Sequence, residues 1–557
     1  MSDDTTGASI SRSRGMAIAL PAVGAVLGMG VAFWAFRTLP ADLVMEPPTV
    51  QSGDPFDAAY VGVAEVEDAA GKPPNVLFIV WDTVRADHLS LYGYERPTTP
   101  NLDRLAANAM IFEQAHSPGI WTLPAHASMF TGLPPETTGA NERWLWLDSP
   151  HITMAEHFQA HGYNTFSLAA NTLLSTDTNL TQGFHVPMNT FKGKMATPSR
   201  KATEGKLLPM DRSQELAPKW TPPEHGATNA EWARASFKDA GPVIGRTFLR
   251  WTEQRKRPDT PFFAYLNLME AHTPRIPSRA SRDRVLADDP ELVALGLRTD
   301  AAHINLHFYN FGKHAYTSRE LEAIEGVYDA TLADLDIALA ELFKGLEAKG
   351  LLQNTIIVLT SDHGENLGEN GLFNHRFTLA ESLTHVPLVV WAPGRPGGRL
   401  RGPVTTMDLF PTLAAWAGIP VPSHLDGIHL LDAPRPAVTR MEPPLRREIE
   451  TVKSVHPDVA VEPWMKSGHA LVDDRLHKVV RWDSRPSQAF DLASDPGEKG
   501  PVPVDPTVMD AVEAWRASVV PYDPSKRAAS DDPVHVRASQ AELREQLNAL
   551  GYTTDDD

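Results

Sequence analysis

Four apolar runs in this sequence end abruptly on residues able to ligate a metal or hydrogen-bond an anion. Asn75–Trp81 (NVLFIVW) runs into Asp82, and Thr165–Ala170 (TFSLAA) into Asn171. Pro261–Leu268 (PFFAYLNL) leads to Glu270 and His272, and Thr355–Thr360 (TIIVLT) to Ser361, Asp362 and His363. One aspartate after a strand is more often a turn or helix-cap residue than a ligand. Several such endings together, one of them an adjacent Asp–His pair, point instead to carboxylates and an imidazole aimed at one place.

The runs themselves say how that convergence is achieved. Each has the length of a buried strand, as does Val386–Trp391 (VPLVVW), and amphipathic stretches such as Thr99–Ala109 and Ser318–Lys349 lie between them. Buried strands alternating with helices predict an α/β fold with a mostly parallel central sheet flanked by helices. In such sheets ligands bind beyond the carboxyl ends of the strands, which is where these side chains fall. No internal repeat is evident.

Composition narrows the chemistry further. The 557 residues are 42% hydrophobic and 22% charged, with a net charge of −19, which disfavours a nucleic-acid binder that works through a basic face. The chain has no cysteine, so disulfides, zinc–cysteine sites, iron–sulfur clusters and thiol nucleophiles are all excluded. An uncharged run from Gly15 to Phe36, preceded by Arg12 and Arg14 and followed by Arg37, has the length of a membrane span. The expectation is a single-pass anchor with an extracytoplasmic (periplasmic or cell-surface) catalytic domain, a cleaved signal peptide being the alternative. The expected organisation is anchor or signal 1–39, linker 40–74, catalytic domain 75–430, C-terminal subdomain 431–525 and a tail 526–557. A short helix at Ser539–Leu550 is expected in that tail.

The segment Asn75–Pro135, which includes NVLFIVWDTVRADHLSLYGYERPTTPNLDRL and GIWTLPAHASMFTG, resembles the opening of a sulfatase-type domain of the alkaline phosphatase superfamily. NTIIVLTSDHGENLGENGLFNH (Asn354–His375) is similar to that family's second metal-binding motif. TTMDLFPTLAAWAGIPVP (Thr405–Pro422) and QAFDLASDPGE (Gln488–Glu498) resemble two later landmarks, in the family's order. The resemblance implies an alkaline phosphatase/sulfatase-like fold with a small C-terminal antiparallel sheet, to which ALVDDRLHKVVRW would contribute.

Residue by residue, the resemblance makes Asp82, Asp362 and His363 ligands of one divalent metal ion (Mg, Mn, Ca or Zn), with the hydroxyl of Thr122 completing the site. Thr122, in TLPAH, stands where sulfatases carry the residue oxidised to formylglycine, and His126 replaces the arginine of that motif. His272 and His375 match residues that contact the anionic group, and Asn171 lies near a family lysine. Thr83 replaces the second carboxylate of the usual Asp–Asp pair. Oxidation of a threonine would give a ketone rather than the aldehyde, so no formylglycine is expected. The superfamily's threonine branch, similar to phosphodiesterases and phosphoglycerol or phosphoethanolamine transferases, implies a hydrolase or transferase acting on phosphate or phosphonate esters. Thr122, His126, His272 and His375 would be catalytic, with Asn171, His272 and His375 binding substrate.

The alternatives are a true sulfuric ester hydrolase and a catalytically silent protein that keeps the fold. Thr122 has a simpler role open to it as a helix cap. Glu365 and Asn366 are read as shaping the turn after the metal pair. His303 and His307 (HINLH) have the i, i+4 spacing of a second metal pair on a helix. Lys192–His225 reads as a long surface loop whose lysines (Lys192, Lys194, Lys201, Lys206) could meet an anion. The expected partner is an anionic ester, with lipid headgroups and envelope glycans suggested by membrane proximity. Nothing in the sequence sets the oligomeric state.

Overall fold

The computed structural model describes residues 72–201 and 240–528, short of 197, 200, 287, 288, 302 and 443–445, together with 531 and 536. All of these fall within one unit, Gly62–Asp557. The fold is organised around its first strand, β1 (Asn75–Trp81), every residue of which is buried. Val76, Phe78 and Val80 enter one apolar cluster, and Leu77, Ile79 and Trp81 enter another on the opposite face. A strand covered on both sides has no reason to alternate, so its sequence is an unbroken apolar run.

In chain order the main sheet takes β2 (Met110–His116), β3 (Asn164–Ala169), β4 (Val186–Asn189), β5 (Phe262–Leu268) and β6 (Thr355–Thr360). A short hairpin follows, β7 (Asn366–Leu367) with β8 (Phe373–Asn374), before β9 (His385–Trp391) and β10 (Gly398–Thr405) return to the sheet. The order across the eight strands is β10-β2-β9-β6-β1-β5-β3-β4. Every pairing is parallel except those of β9, which is antiparallel to both β2 and β6. The predicted α/β class is therefore observed.

The 31-residue helix Ser318–Ala348 starts at a capping box of Thr317 and Glu320 and contributes Ile324, Tyr328, Leu332 and Leu335 to the core on the Leu77 face. The helices Thr122–Thr131, Met154–Ala160 and Leu409–Trp416 cover the Val76 face. Beside the first of these faces lies the helix Gly241–Gln254, in which a small gap lined by Ile79, Trp81, Leu266 and Leu342 opens at Gly245. A Cβ at Gly245 would meet Leu342 at 3.8 Å, an ordinary contact. Gly245→Ala should therefore stabilise the protein by about 0.5–1 kcal/mol through helix propensity and reduced unfolded-state entropy. A lower urea midpoint than the wild type would contradict this.

A second, antiparallel sheet follows, from β11 (Ala437–Met441), β12 (Gly468–Val472), β13 (His477–Trp482) and β14 (Gln488–Asp491), covered by the helix Pro506–Ser518 through Val508 and Val512. It is the small C-terminal sheet that the sequence predicts. It docks on the main sheet through Thr439 Oγ1 to Ser117 O (2.6 Å) and through fully buried Lys478, which pairs with Glu381 (2.7 Å) and Glu498 (2.8 Å). Burial alone would raise the Glu381 carboxyl, but the Lys478 ammonium outweighs it and holds the group at about 2. Glu381 thus contributes stability above its unfolded value of 4.5 that is lost as pH falls towards 2. Lys478→Ala would leave two carboxylates buried without their cation and should cost about 3–5 kcal/mol, read by urea denaturation near neutral pH.

The Gly15–Phe36 run, residues 40–71 and the Ser539–Leu550 helix expected in the tail lie outside the described residues. Among the described residues no helix is long and apolar enough to cross a membrane, so the single-pass anchor gains no support from the structure.

Candidate active site

The carboxyl ends of β3, β5, β1 and β6 lie side by side because β1 pairs with both β5 and β6, and β5 with β3. Asp82 leaves β1 with its N–H still on the ladder, donated to Leu268 O at 2.8 Å. Its Oδ2 accepts from Asn171 Nδ2 (2.8 Å) and Asn267 Nδ2 (3.2 Å). Past β6, Asp362 Oδ1 accepts the N–H groups of Thr83 (3.2 Å) and His363 (3.0 Å). His363 Nδ1 is 2.9 Å from Gly364 O, so the ring carries its proton there and presents Nε2 as a lone pair.

Each of these residues is left with one buried atom that has no hydrogen-bond partner: Asp82 Oδ1, Asp362 Oδ2 and His363 Nε2. The group's ligand atoms lie within 4.8 Å of one another, and all three residues are 0% exposed. His363 Nε2 faces Asp362 Oδ2 at 3.3 Å, lone pair to lone pair, an arrangement that only a cation or a proton relieves. Burial pushes the carboxyls of Asp82 and Asp362 up to about 7, the Asp362 charge adding to the rise at Asp82. Two carboxylates and an imidazole aimed inward without partners fit a divalent cation.

Thr83, at the place of the missing carboxylate, supplies no ligand, because its hydroxyl turns to Asp82 O at 2.7 Å. Its φ of 61° is strained for a β-branched residue and is held by Tyr328, whose hydroxyl donates to Thr83 O at 2.9 Å.

Thr122 is the first residue of its helix. Trp121 is the cap, and no side-chain capping bond is made, so the capping role open to Thr122 in the sequence is not the one it takes. Instead Thr122 Oγ1 accepts from Asn171 Nδ2 at 3.2 Å, the same amide that holds Asp82. Asn171 also uses Oδ1 to accept from Leu173 N at 2.9 Å. Its amide thus lies within the site, between the Asp82 carboxylate and the Thr122 hydroxyl.

His126, one turn along the helix, differs from its expected catalytic role for a similar reason. Nδ1 lies 2.9 Å from Thr122 O and Nε2 2.7 Å from Tyr265 OH, so both nitrogens are occupied. Burial lowers its pKa to about 3, which keeps the ring neutral. It anchors the backbone of residue 122 to β5.

His272 and His375 come together as the sequence anticipated, with ring centroids 5.3 Å apart, and His375 lies 4.5 Å from His363. His272 Nδ1 is 2.7 Å from Thr273 O, and His375 Nδ1 is 3.3 Å from Glu365 Oε1. Burial, with His363 nearby, holds His375 well below its ordinary pKa.

The sulfatase family profile matches residues 74–419. The chain belongs to the sulfatase family. As a sulfatase-family hydrolase it is 27% identical over 459 residues to an ulvan-active sulfatase of Formosa agariphila, covering 78% of each chain. It is 26% identical over 495 residues to the multifunctional alkaline phosphatase superfamily protein PehA of Trinickia caryophylli, covering 80% of this chain and 95% of that one. The phosphonate monoester hydrolase of Agrobacterium radiobacter superposes with a TM-score of 0.58 at 22% identity, covering 85% of this chain and 97% of that one. The sulfatase fold is thereby shared with proteins named for both sulfur and phosphorus esters.

Several residues of this sulfatase-family site escape the sequence reading. Asn267 and Tyr265 are polar side chains two apart in an apolar strand, a signal that was present in PFFAYLNL. Glu365, read there as a turn former, is instead fully buried and paired with Arg275 (3.1 Å) as well as with His375. Among the described residues the other metal-capable group is His88, Glu325 and Asp329, not His307, and the His303 side chain lies outside them. Asp329 in that group is already bound by Arg96 (2.6 Å), Tyr94 (2.8 Å) and His88 (2.8 Å), which makes an ion-pair network of it. Lys192 pairs with Asp177 (2.6 Å), Lys194 and Lys201 are exposed, and Lys206 lies outside the described residues.

Proposed function

We propose that this protein is a metal-dependent hydrolase of phosphoric or phosphonic esters with Thr122 as its nucleophile. The observation that carries the reading is a threonine hydroxyl beside the Asp82, Asp362 and His363 donors in a chain without cysteine. A threonine Cβ bears a methyl group, so the aldehyde of formylglycine cannot form on it. A sulfated threonine has no elimination route that regenerates the side chain, whereas a phosphothreonine is open to in-line attack by water.

Asp82 Oδ1, Asp362 Oδ2 and His363 Nε2 would hold the cation, which supplies Lewis acidity that lowers the pKa of a hydroxyl and screens phosphoryl oxygens. Asn171 and His126 keep Thr122 in place, and the start of its helix offers amide donors to an anion. Thr122 Oγ attacks phosphorus and gives up its proton to solvent; the bond to the leaving oxygen breaks, and that oxygen takes a proton relayed from water by His272 or His375. Water then hydrolyses the phosphothreonine and frees Thr122. Imidazoles and amides stand where the resemblance would place lysine, which suits singly charged diesters and phosphonate monoesters better than doubly charged monoesters.

The likeness to an ulvan-active sulfatase favours a second reading, sulfate ester hydrolysis. Aryl phosphodiester, aryl phosphonate, aryl phosphate and aryl sulfate, assayed with and without added divalent metal, separate the two. Metal-dependent turnover led by the diester or phosphonate supports the proposal, and dominant sulfate turnover overturns it. Lipid-headgroup and envelope-glycan esters are the natural substrates to try next.

A further inference from the structure

Past the helix Pro506–Ser518 the chain returns to the neighbourhood of Thr122 from outside. Residues 519–528 and Asp531 lie along residues 134–149 and are bonded to them at both ends and in the middle. Tyr522 N donates to Glu136 O at 2.7 Å, and Thr137 Oγ1 donates to Val520 O at 2.7 Å. Tyr522 OH donates to Asp148 Oδ2 at 2.7 Å, and Arg527 Nε donates to the same oxygen at 3.3 Å. The Arg527 guanidinium lies 3.7 Å from the centre of the Trp144 ring, whose Nε1 donates to Asp148 Oδ1 at 2.7 Å. Fully buried Asp531 accepts from Ser149 N at 2.8 Å and from Trp146 Nε1 at 3.1 Å. The Tyr522 ring is fitted to Gly139, where a Cβ would come within 2.3 Å of it.

The turn held in this way carries Glu142 inward. Glu142 Oε1 accepts from Arg376 Nη1 at 2.5 Å, and that guanidinium lies 5.1 Å from the centre of the Trp121 ring. Trp121 immediately precedes Thr122 in the chain, and Arg376 is 4% exposed. Trp121, Glu142 and Arg376, with Glu442, line a recess. A planar guanidinium gripped by a carboxylate and laid on an indole has a fixed position only while both partners keep theirs. The position of Glu142 depends on the turn, and the turn on the segment outside it.

Building on the function proposed above, we infer that Tyr522, Arg527 and Asp531 are positioning residues for substrate affinity. They hold the turn 139–149, the turn keeps Glu142 on Arg376, and Arg376 and Trp121 form a wall against which the organic group of the ester rests. The donors at the strand ends serve the phosphoryl oxygens, so the organic group must lie against a surface of this kind. The three positioning residues themselves touch no substrate.

The test is a double-mutant cycle on 4-nitrophenyl phenylphosphonate, with Tyr522→Ala, Glu142→Gln and the two combined. Each single variant should raise KM about tenfold with kcat within about threefold of wild type, and the combination should be no worse than Glu142→Gln alone, because both act through one contact. Tyr522→Phe keeps the ring on Gly139 and should recover most of the loss; Arg527→Gln takes the place of Tyr522→Ala in the cycle if that variant does not fold. Trypsin reads the turn without turnover. Arg143 is exposed and its N–H is bonded to Asn141 Oδ1 at 2.9 Å, and cleavage after it, identified by mass, should be about tenfold faster in Tyr522→Ala. Effects on KM that multiply, an unchanged KM with a lowered thermal midpoint, or an unchanged rate of cleavage would overturn the inference and leave the Thr122 reading intact. If the wild type turns over only sulfates, that reading fails instead, and the same cycle on 4-nitrophenyl sulfate decides the role of Tyr522.

Discussion

Thr122→Ala is expected to lower kcat for aryl phosphodiesters and phosphonates by about ten-thousand-fold or more, while Thr122→Ser stays within about tenfold of wild type. The asymmetry follows from what the hydroxyl touches. Thr122 Oγ1 makes no capping bond; beside the Asp362 carboxyl, it accepts from the Asn171 amide at 3.2 Å, which keeps its shorter bond to Asp82 at 2.8 Å when the hydroxyl is gone. Loss of one buried neutral hydrogen bond costs about 1 kcal/mol, so the alanine variant should remain folded and bind metal. Rapid quenching of the wild type during turnover should yield a phosphorylated peptide containing Thr122, absent from the alanine variant. Full activity in Thr122→Ala would remove the nucleophile, and with it the argument from threonine to phosphorus.

The second large effect concerns the cation. Adding Mn²⁺ to chelator-treated wild type should raise stability by about 3 kcal/mol at a hundredfold excess over Kd, and Mg²⁺, Ca²⁺ and Zn²⁺ rank the site's preference in the same assay. Asp362→Asn should abolish both that gain and turnover. In chelator, however, the variant should equal or exceed the wild type in stability. The reason is the facing pair Asp362 Oδ2 and His363 Nε2 at 3.3 Å, together with a buried Asp82 Oδ1 that has no partner. Without a cation these acceptors repel one another in a medium that solvates them poorly, and an amide can donate where a carboxylate cannot. Crossing stability orders in metal and in chelator are the signature. A wild type indifferent to every divalent ion would leave the three donors without a purpose.

The parts of this site that were legible in the sequence are those written locally. Asp82, Asn171, Asp362 and His363 each follow an apolar run at the point where a strand must end, and a parallel sheet gathers those ends. The supporting residues were not legible, because their meaning lies in partners far along the chain. Glu365 and Arg275 are 90 residues apart, as are, at 139, His126 and Tyr265. A glutamate after DHG looks like a turn residue until its guanidinium is known, and a histidine in place of arginine looks catalytic until both its nitrogens are found occupied. The antiparallel direction of β9 within the main sheet was hidden for a related reason, since an apolar run carries no mark of its direction.

The strand order carries a consequence for how the chain comes to be folded. β1 sits between β5 and β6, so its neighbours in the sheet are made 187 and 280 residues later, judging by its Asn75 contacts with Phe262 and Thr355. β2 waits longer still, for β9 and β10. At a synthesis rate of roughly 5–20 residues per second, the hydrophobic NVLFIVW segment is without its partners for about a quarter of a minute to a minute. Non-local pairing of this kind makes folding slow and exposes strand edges to other chains in the interval. Refolding from denaturant should accordingly aggregate at concentrations that the native protein tolerates, which light scattering during dilution would read.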